Sequence, residues 1–231
     1  MLSPLSPLES AALLLSLKVA FWAVLGSLPW GVALAWVLSR RDFWGKSLLD
    51  GFLHLPLVLP PVVIGYLLLL ALGRNGVIGK MLYEYFGLTI AFTWKGAVVA
   101  SGVMAFPLLV RMVRLSFDAV DTRLEMAART LGAGPGRVFF TITLPLALPG
   151  LLAGMVLAFA RSLGEFGATI TFVSNIPGQT QTLPLALYTL TQIPQGEAAA
   201  LRLCVIAAIL ALLALIGANR VETRLARHFE G

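Results

Sequence analysis

Charge is what this sequence most lacks. Only 12% of its 231 residues are Asp, Glu, Lys or Arg, about half the share usual in soluble domains. A soluble chain of this size buries one core under a charged skin. Here there is too little charge for a skin, so most of the outer surface must face something other than water. Cysteine is nearly absent. The single Cys204 excludes a disulfide framework, and inside its apolar run it reads as a small buried residue. Of the two histidines, His54 has no partner at metal-ligand spacing and reads as a satisfied interface histidine. No metal cluster, catalytic triad or pair of carboxylates within an apolar run can be assembled. The stretch Gly73-Arg74-Asn75-Gly76-Val77-Ile78-Gly79-Lys80-Met81 has the wrong spacing for a phosphate-binding loop, and Met81 stands where a magnesium-holding Ser or Thr is needed. Gly132, Gly134 and Gly136 follow no buried strand and make no dinucleotide fingerprint. A net charge of +6 does not imply nucleic acid, because the basic residues sit in clusters between apolar blocks.

What is there in abundance is hydrophobic sequence, 58% of the chain. A helix crossing the hydrocarbon of a bilayer needs about 20 apolar residues. Five segments approach this: Ala11 to Leu38, Phe52 to Leu72, Ala91 to Val110, Thr141 to Ala160 and Leu203 to Asn219. The first is too long for a signal peptide and lacks a basic leader, Glu9 being the only charge before Lys18, so it reads as a retained span. These segments predict an all-α, multi-pass protein of the inner (plasma) membrane, residues 1–231 forming one transmembrane domain. Lys and Arg set its orientation. Eleven (Arg40, Arg41, Lys46, Arg111, Arg114, Arg123, Arg129, Arg137, Arg220, Arg224, Arg227) fall on one side and five (Arg74, Lys80, Lys95, Arg161, Arg202) on the other. The side with eleven is expected in the cytoplasm, which places the N-terminus outside and the C-terminus inside. Trp36, Trp44, Tyr83, Tyr85 and Trp94 fall near the span boundaries, as interface anchors should.

Two connections are long. The external one, 161–201, is largely apolar and carries Pro177, Pro184 and Pro194; its stretch Leu183 to Ile193 is expected to form a short helix dipping into the bundle, where irregular backbone can line a cavity. The other, 116–145, is expected in the cytoplasm. In it Thr122 and Glu125 have capping-box spacing, Ala127, Ala128, Arg129 and Leu131 favour helix, and Gly132 suits a left-handed helix end. Gly134, Pro135 and Gly136 turn the chain, a short amphipathic piece spans Arg137 to Ile142, and Leu144-Pro145 opens the fourth span. An exposed pair of short helices with a small Ala face is suited to docking in a groove on a partner.

This loop resembles the EAA loop of permease subunits in binding-protein-dependent ABC importers, a Glu-Ala-Ala, three residues, Gly, nine residues, Ile-x-Leu-Pro pattern. The matching residues are Glu125, Ala127, Ala128, Gly132, Ile142, Leu144 and Pro145, with Met126 either inserted or substituted between Glu125 and Ala127. The stretch from His54 through Pro56, Pro60, Pro61 and Gly65 to Tyr66 is similar to molybdate permeases. Ala160-Arg161-Ser162-Leu163-Gly164-Glu165-Phe166-Gly167-Ala168-Thr169 resembles a signature shared by molybdate, tungstate and sulfate permeases, and Thr182-Leu183-Pro184 fits as well.

The resemblance implies a type I ABC importer permease fold translocating molybdate, with permeases for tungstate or for sulfate and thiosulfate as the alternative. The loop would dock on a separate ATPase subunit. Two such cytoplasmic subunits would carry ATP and magnesium, this chain binding no cofactor, and a periplasmic or extracellular molybdate-binding protein would feed the pathway. Five helices are few to enclose a path, so a second copy is expected around a two-fold axis, and the cycle is expected to be alternating access. Pro56, Pro60, Pro61, Gly65, Gly164, Glu165, Gly167, Thr169 and Ser174 are candidates for the path or its gate. The prolines read either as a simple kink or interfacial entry to the second span, or as broken helix beside a water-lined route. Gly164 and Gly167 would give a hinge or close packing, and Arg161 and Glu165 would pair at i, i+4. A neutral route through Thr169, Thr171, Ser174 and Asn175 suits an anion better than Glu165 does. An ion-coupled secondary transporter would need ionisable groups within the spans and a membrane-embedded enzyme would need catalytic clusters there; neither is evident.

Overall fold

The computed structural model describes residues 6–229, with only the backbone given for 218, 219 and 221–229. Arg224 and Arg227, counted above for orientation, lie among those side chains. The described residues form helices α1 (Pro7–Arg40), α2 (Lys46–Val58), α3 (Pro61–Leu72), α4 (Val77–Phe86), α5 (Trp94–Ala119), α6 (Thr122–Thr130), α7 (Pro135–Val138), α8 (Leu144–Leu163), α9 (Gly167–Val173), α10 (Leu183–Thr191) and α11 (Glu197–Phe229). A π-turn, Phe139–Thr143, links α7 to α8 without a break.

Four helical segments are long and apolar enough to cross a membrane: Pro7–Arg40, Trp94–Ala119, Pro135–Leu163 and Glu197–Gly217. The fifth expected span is a bent pair. α2 and α3 meet at 111° because Pro60 and Pro61 end one helix and start the next. The fourth span begins earlier than expected, at Pro135, since the π-turn keeps Arg137 to Ile142 in helical register with α8.

α1 opens on a capping box in which the Ser6 hydroxyl accepts from Glu9 N–H and Glu9 Oε2 accepts from Ser6 N–H. At 34 residues it is about 51 Å long, well beyond the ~30 Å hydrocarbon layer. Its start is fastened to α11, where the Arg202 guanidinium donates to both oxygens of the buried Glu9, at 2.6 and 2.8 Å from Nη2.

The centre of the bundle is α1, α5 and α8 around Val24, Ala35, Leu38, Leu109, Val113, Phe117, Ala147 and Ala158. Between helices in lipid, apolar burial gives little drive, and close contact of small residues replaces it. Gly150 and Gly154 of α8 do this against α5: a side chain at Gly154 would stand 3.0 Å from Met112 Cβ. A second cluster joins α1, α3, α5 and α9 through Val19, Ile64, Ala97, Ala168 and Phe172. α10 tucks between α1 and α11, its first N–H, from Leu183, donating to the buried Ser16 hydroxyl at 2.6 Å. Cys204 departs from expectation: it is exposed, because its face of α11 points away from the bundle.

Candidate functional site

α6 carries the first group of sequence-selected residues. Its N-cap is Asp121, whose Oδ1 accepts from Arg123 N–H at 2.9 Å. The capping box expected of Thr122 and Glu125 does not form, because Thr122 is already the first helical residue and Glu125 is a position too far along. Glu125 turns inward instead. It is 7% exposed, and its Oε1 accepts from Arg40 Nη2 at 2.9 Å, Arg40 Nε at 3.2 Å and Thr143 Oγ1 at 2.8 Å. The same guanidinium donates to Val120 C=O. One carboxylate thus ties α6 to the last residue of α1 and to the π-turn that leads into α8.

α6 is regular from Thr122 to Thr130, so Glu125, Met126, Ala127 and Ala128 follow one another at helical spacing. The helix ends in a Schellman motif. Gly132 N–H donates to Arg129 C=O and Ala133 N–H to Ala128 C=O, both at 3.0 Å. Gly132 sits at φ +86° with open space around it, so backbone conformation alone requires glycine there. The outer face of α6 is uncovered: Leu124, Met126 and Ala127 are exposed and Leu131 is 89% exposed, flanked by Arg123 and Arg129. Ala128 is half-buried. Ile142, Leu144 and Pro145 are half-buried where the π-turn becomes α8, and Leu144 packs on the central core beside Phe139.

The second group meets where α3 crosses α9. A side chain at Gly65 would lie 2.5 Å from Ala168 C=O, and one at Gly167 2.8 Å from Pro61 Cβ. The proline stretch and the 160–169 stretch, a hundred residues apart, are therefore packed backbone against backbone. Pro60 caps α3 and Pro61 begins it, while Pro56 lies inside α2 on an apolar groove of about 600 Å³ with Trp22, Trp30 and Phe106. Glu165 is 2% exposed. Its Oε2 pairs with Arg161 at 2.7 Å and its Oε1 accepts from Ala168 N–H at 2.9 Å, placing negative charge at the start of α9 as the helix dipole favours. Gly164 is exposed in the turn after α8, with nothing nearer than 4.0 Å to a side chain there. Of the hydroxyl route, Thr169 is buried with its Oγ1 unpartnered, Thr171 donates to Gly167 C=O, and Ser174 is exposed at φ 63°. The Asn175 amide is bound to Thr189 and Gln181.

Residues the sequence did not single out complete both regions. Arg40 was notable only as a charge, and nothing in spacing marks it as the partner of a residue 85 positions away. His54 does have company in space. Its Nδ1 lies 2.8 Å from Asp50 C=O, and Asp50 pairs with Arg114 at 3.1 Å. Among the described residues no group of His, Cys, Asp or Glu is arranged to hold a metal.

The molybdenum transport system permease protein ModB of Escherichia coli K12 is 65% identical over 208 residues, covering 90% of this chain and 91% of ModB. The sulfate transport system permease protein CysT of Salmonella typhimurium is 35% identical over 98% of this chain and 81% of its own. In fold, a solved bacterial alginate ABC transporter in complex with its alginate-bound periplasmic protein has a chain with TM-score 0.74 at 18% identity, over 95% of this chain and 80% of that one. Residues 27–227 match the binding-protein-dependent transport system inner membrane component, and the chain belongs to that family.

Proposed function

We propose that this chain is the permease subunit of an ATP-driven importer that carries molybdate across the inner membrane. The observation that carries the reading is α6. Its buried Glu125 is bound to α1 and the π-turn while Leu124, Met126, Ala127 and Leu131 stand uncovered. Such a helix is fixed on its inner side and free to be gripped on its outer side. The substrate rests on the likeness to ModB, nearly twice the identity shared with the sulfate permease CysT. The excess of Lys and Arg at the α6 end supports a cytoplasmic position for it.

In this reading two copies of the chain surround the path and two ATPase subunits, which hold ATP and magnesium, each receive one α6. An external binding protein delivers the anion. Closure of the ATPase pair draws the two α6 helices together. Glu125 and Arg40 pass that displacement to α1, and the π-turn passes it to α8. At the far end of α8, Arg161 and Glu165 hold the start of α9, which is packed on α3 through Gly65 and Gly167, so the crossing shifts with α8 and the path opens outward. Hydrolysis resets it. Glu165 positions a helix and is not an anion ligand, which agrees with its pairing to Arg161.

The test is labelled molybdate uptake by cells lacking their own importer and supplied with this chain, its ATPase and its binding protein. Uptake that withstands excess sulfate, and that falls at least tenfold with Met126→Asp plus Leu131→Asp while the protein stays in the membrane, supports the reading. Equal competition by sulfate overturns the substrate. Uptake indifferent to the α6 variants overturns the docking role.

A further inference from the structure

A groove of about 820 Å³ runs between α1 and the π-turn, within the range of about 300–1,000 Å³ typical of small-ligand clefts. Leu28, Val32 and Trp36 line one wall, Phe139, Phe140 and Leu144 the other, and no charged side chain enters it. At the Trp36 end the character changes. Arg41 follows the end of α1 and its guanidinium lies 5.9 Å over the Trp36 ring. Arg137, exposed, directly follows the groove residues Pro135 and Gly136. Three other basic residues on this side are paired, Arg40 with Glu125, Lys46 with Asp42 and Arg114 with Asp50, while Arg111, Arg123 and Arg129 line no part of the groove. Arg41 and Arg137 have no carboxylate partner among the described residues. An apolar trough beside a spanning helix, with a tryptophan under the Arg41 guanidinium at one end and Arg137 next in sequence to its lining, matches a molecule with hydrocarbon tails and a phosphate head.

We propose that this groove binds one anionic phospholipid, its acyl chains against Val32, Phe139 and Leu144 and its phosphate between Arg41 and Arg137. A bound lipid would brace the π-turn and so the inner footing of α6. The inference rests on the membrane-permease reading only in placing the Trp36 end of α1 at a bilayer surface.

The full chain purified in detergent would be titrated with phosphatidylglycerol and, separately, phosphatidylcholine and followed by native mass spectrometry. Wild type is expected to prefer phosphatidylglycerol at least tenfold. Arg41→Gln with Arg137→Gln should weaken that binding about 25-fold, taking each arginine near an anionic headgroup as worth about fivefold. Ala33→Trp, which fills the groove, should abolish it with melting unchanged, and Lys46→Gln, at the same end, should leave it intact. Equal binding of the two lipids, retention by the arginine variant, or equal loss in Lys46→Gln would overturn the site. So would disulfide formation between two copies carrying Ala33→Cys with Cys204→Ser, since the groove would then be covered by protein. Lipid binding is scored without transport. Normal lipid binding in a chain that imports no molybdate would therefore count against the importer alone.

Discussion

Three hydrogen bonds converge on a single oxygen of Glu125, from two Arg40 nitrogens and Thr143, and both charged side chains are largely withdrawn from solvent, at 14% and 9% exposure. Removing one partner leaves the other charge buried and unmatched, which costs about 2–3 kcal/mol for a pair not wholly buried. Glu125→Gln and Arg40→Gln should each lower the melting temperature of the purified chain. The double variant should cost clearly less than the two singles together, and strict additivity would show that the pair is not coupled. Gly132 gives a sharper test of backbone chemistry. Its surroundings are open but its φ is positive, so Gly132→Ala should cost about 1 kcal/mol and Gly132→Asn less, because Asn tolerates that conformation. If the two behaved alike in uptake and melting, the helix end would not be what requires the glycine. The left-handed helix end at Gly132 was legible from its place after the helix formers, whereas the inward turn of Glu125 was not, since its spacing from Thr122 pointed to a capping box. Arg40 was not, because an ion pair closed across 85 residues leaves no mark on either local sequence.

Among the elements, length and polarity were readable and angles were not. Apolar runs marked the four straight spans, with ends off by up to nine residues (Val110 against Ala119). The break of the second, left open between a kink and a broken helix, falls at Pro60 and Pro61 while Pro56 stays inside α2. That the break turns the chain through 111° depends on what α3 packs against, and α9 is too short, at 7 residues, to announce itself. The burial of Cys204 was misjudged for a related reason: an apolar helix at the edge of a bundle has an outward face as hydrophobic as its inward one. The glycines of the second region separate by position. Gly65→Ala drives a methyl group to 2.5 Å from Ala168 C=O and should cost about 2 kcal/mol of overpacking and most of the uptake. Gly164→Ala meets nothing within ordinary contact and should stay within about 0.5 kcal/mol of wild type. A reversed order would mean that the turn after α8 acts as the hinge and that the α3–α9 contact is incidental.

For the molecule as a whole, the excess of Lys and Arg on one side predicts which ends are reachable from where. In a Cys204→Ser background, Lys46→Cys should be shielded from a membrane-impermeant maleimide added to intact cells, and Arg74→Cys should react. The opposite pattern would invert the topology and place α6 beyond the reach of a cytoplasmic ATPase. The sequence pointed to a membrane protein through its shortage of charge, to an all-helical one through five long apolar runs, and to a family through its loop. Which helices touch could not be read, because in a chain so uniformly apolar the contacts are chosen by small residues such as Gly150 and Gly154 rather than by hydrophobicity. The unbroken run from Pro135 to Leu163 contains 29 residues, about 43 Å of helix. In the proposed cycle it is a lever with its short arm under α6 and its long arm across the membrane. A tilt of about 5° at the loop would swing the far end by about 4 Å, so the ATPase need supply only a small stroke for the opposite surface to register a large one.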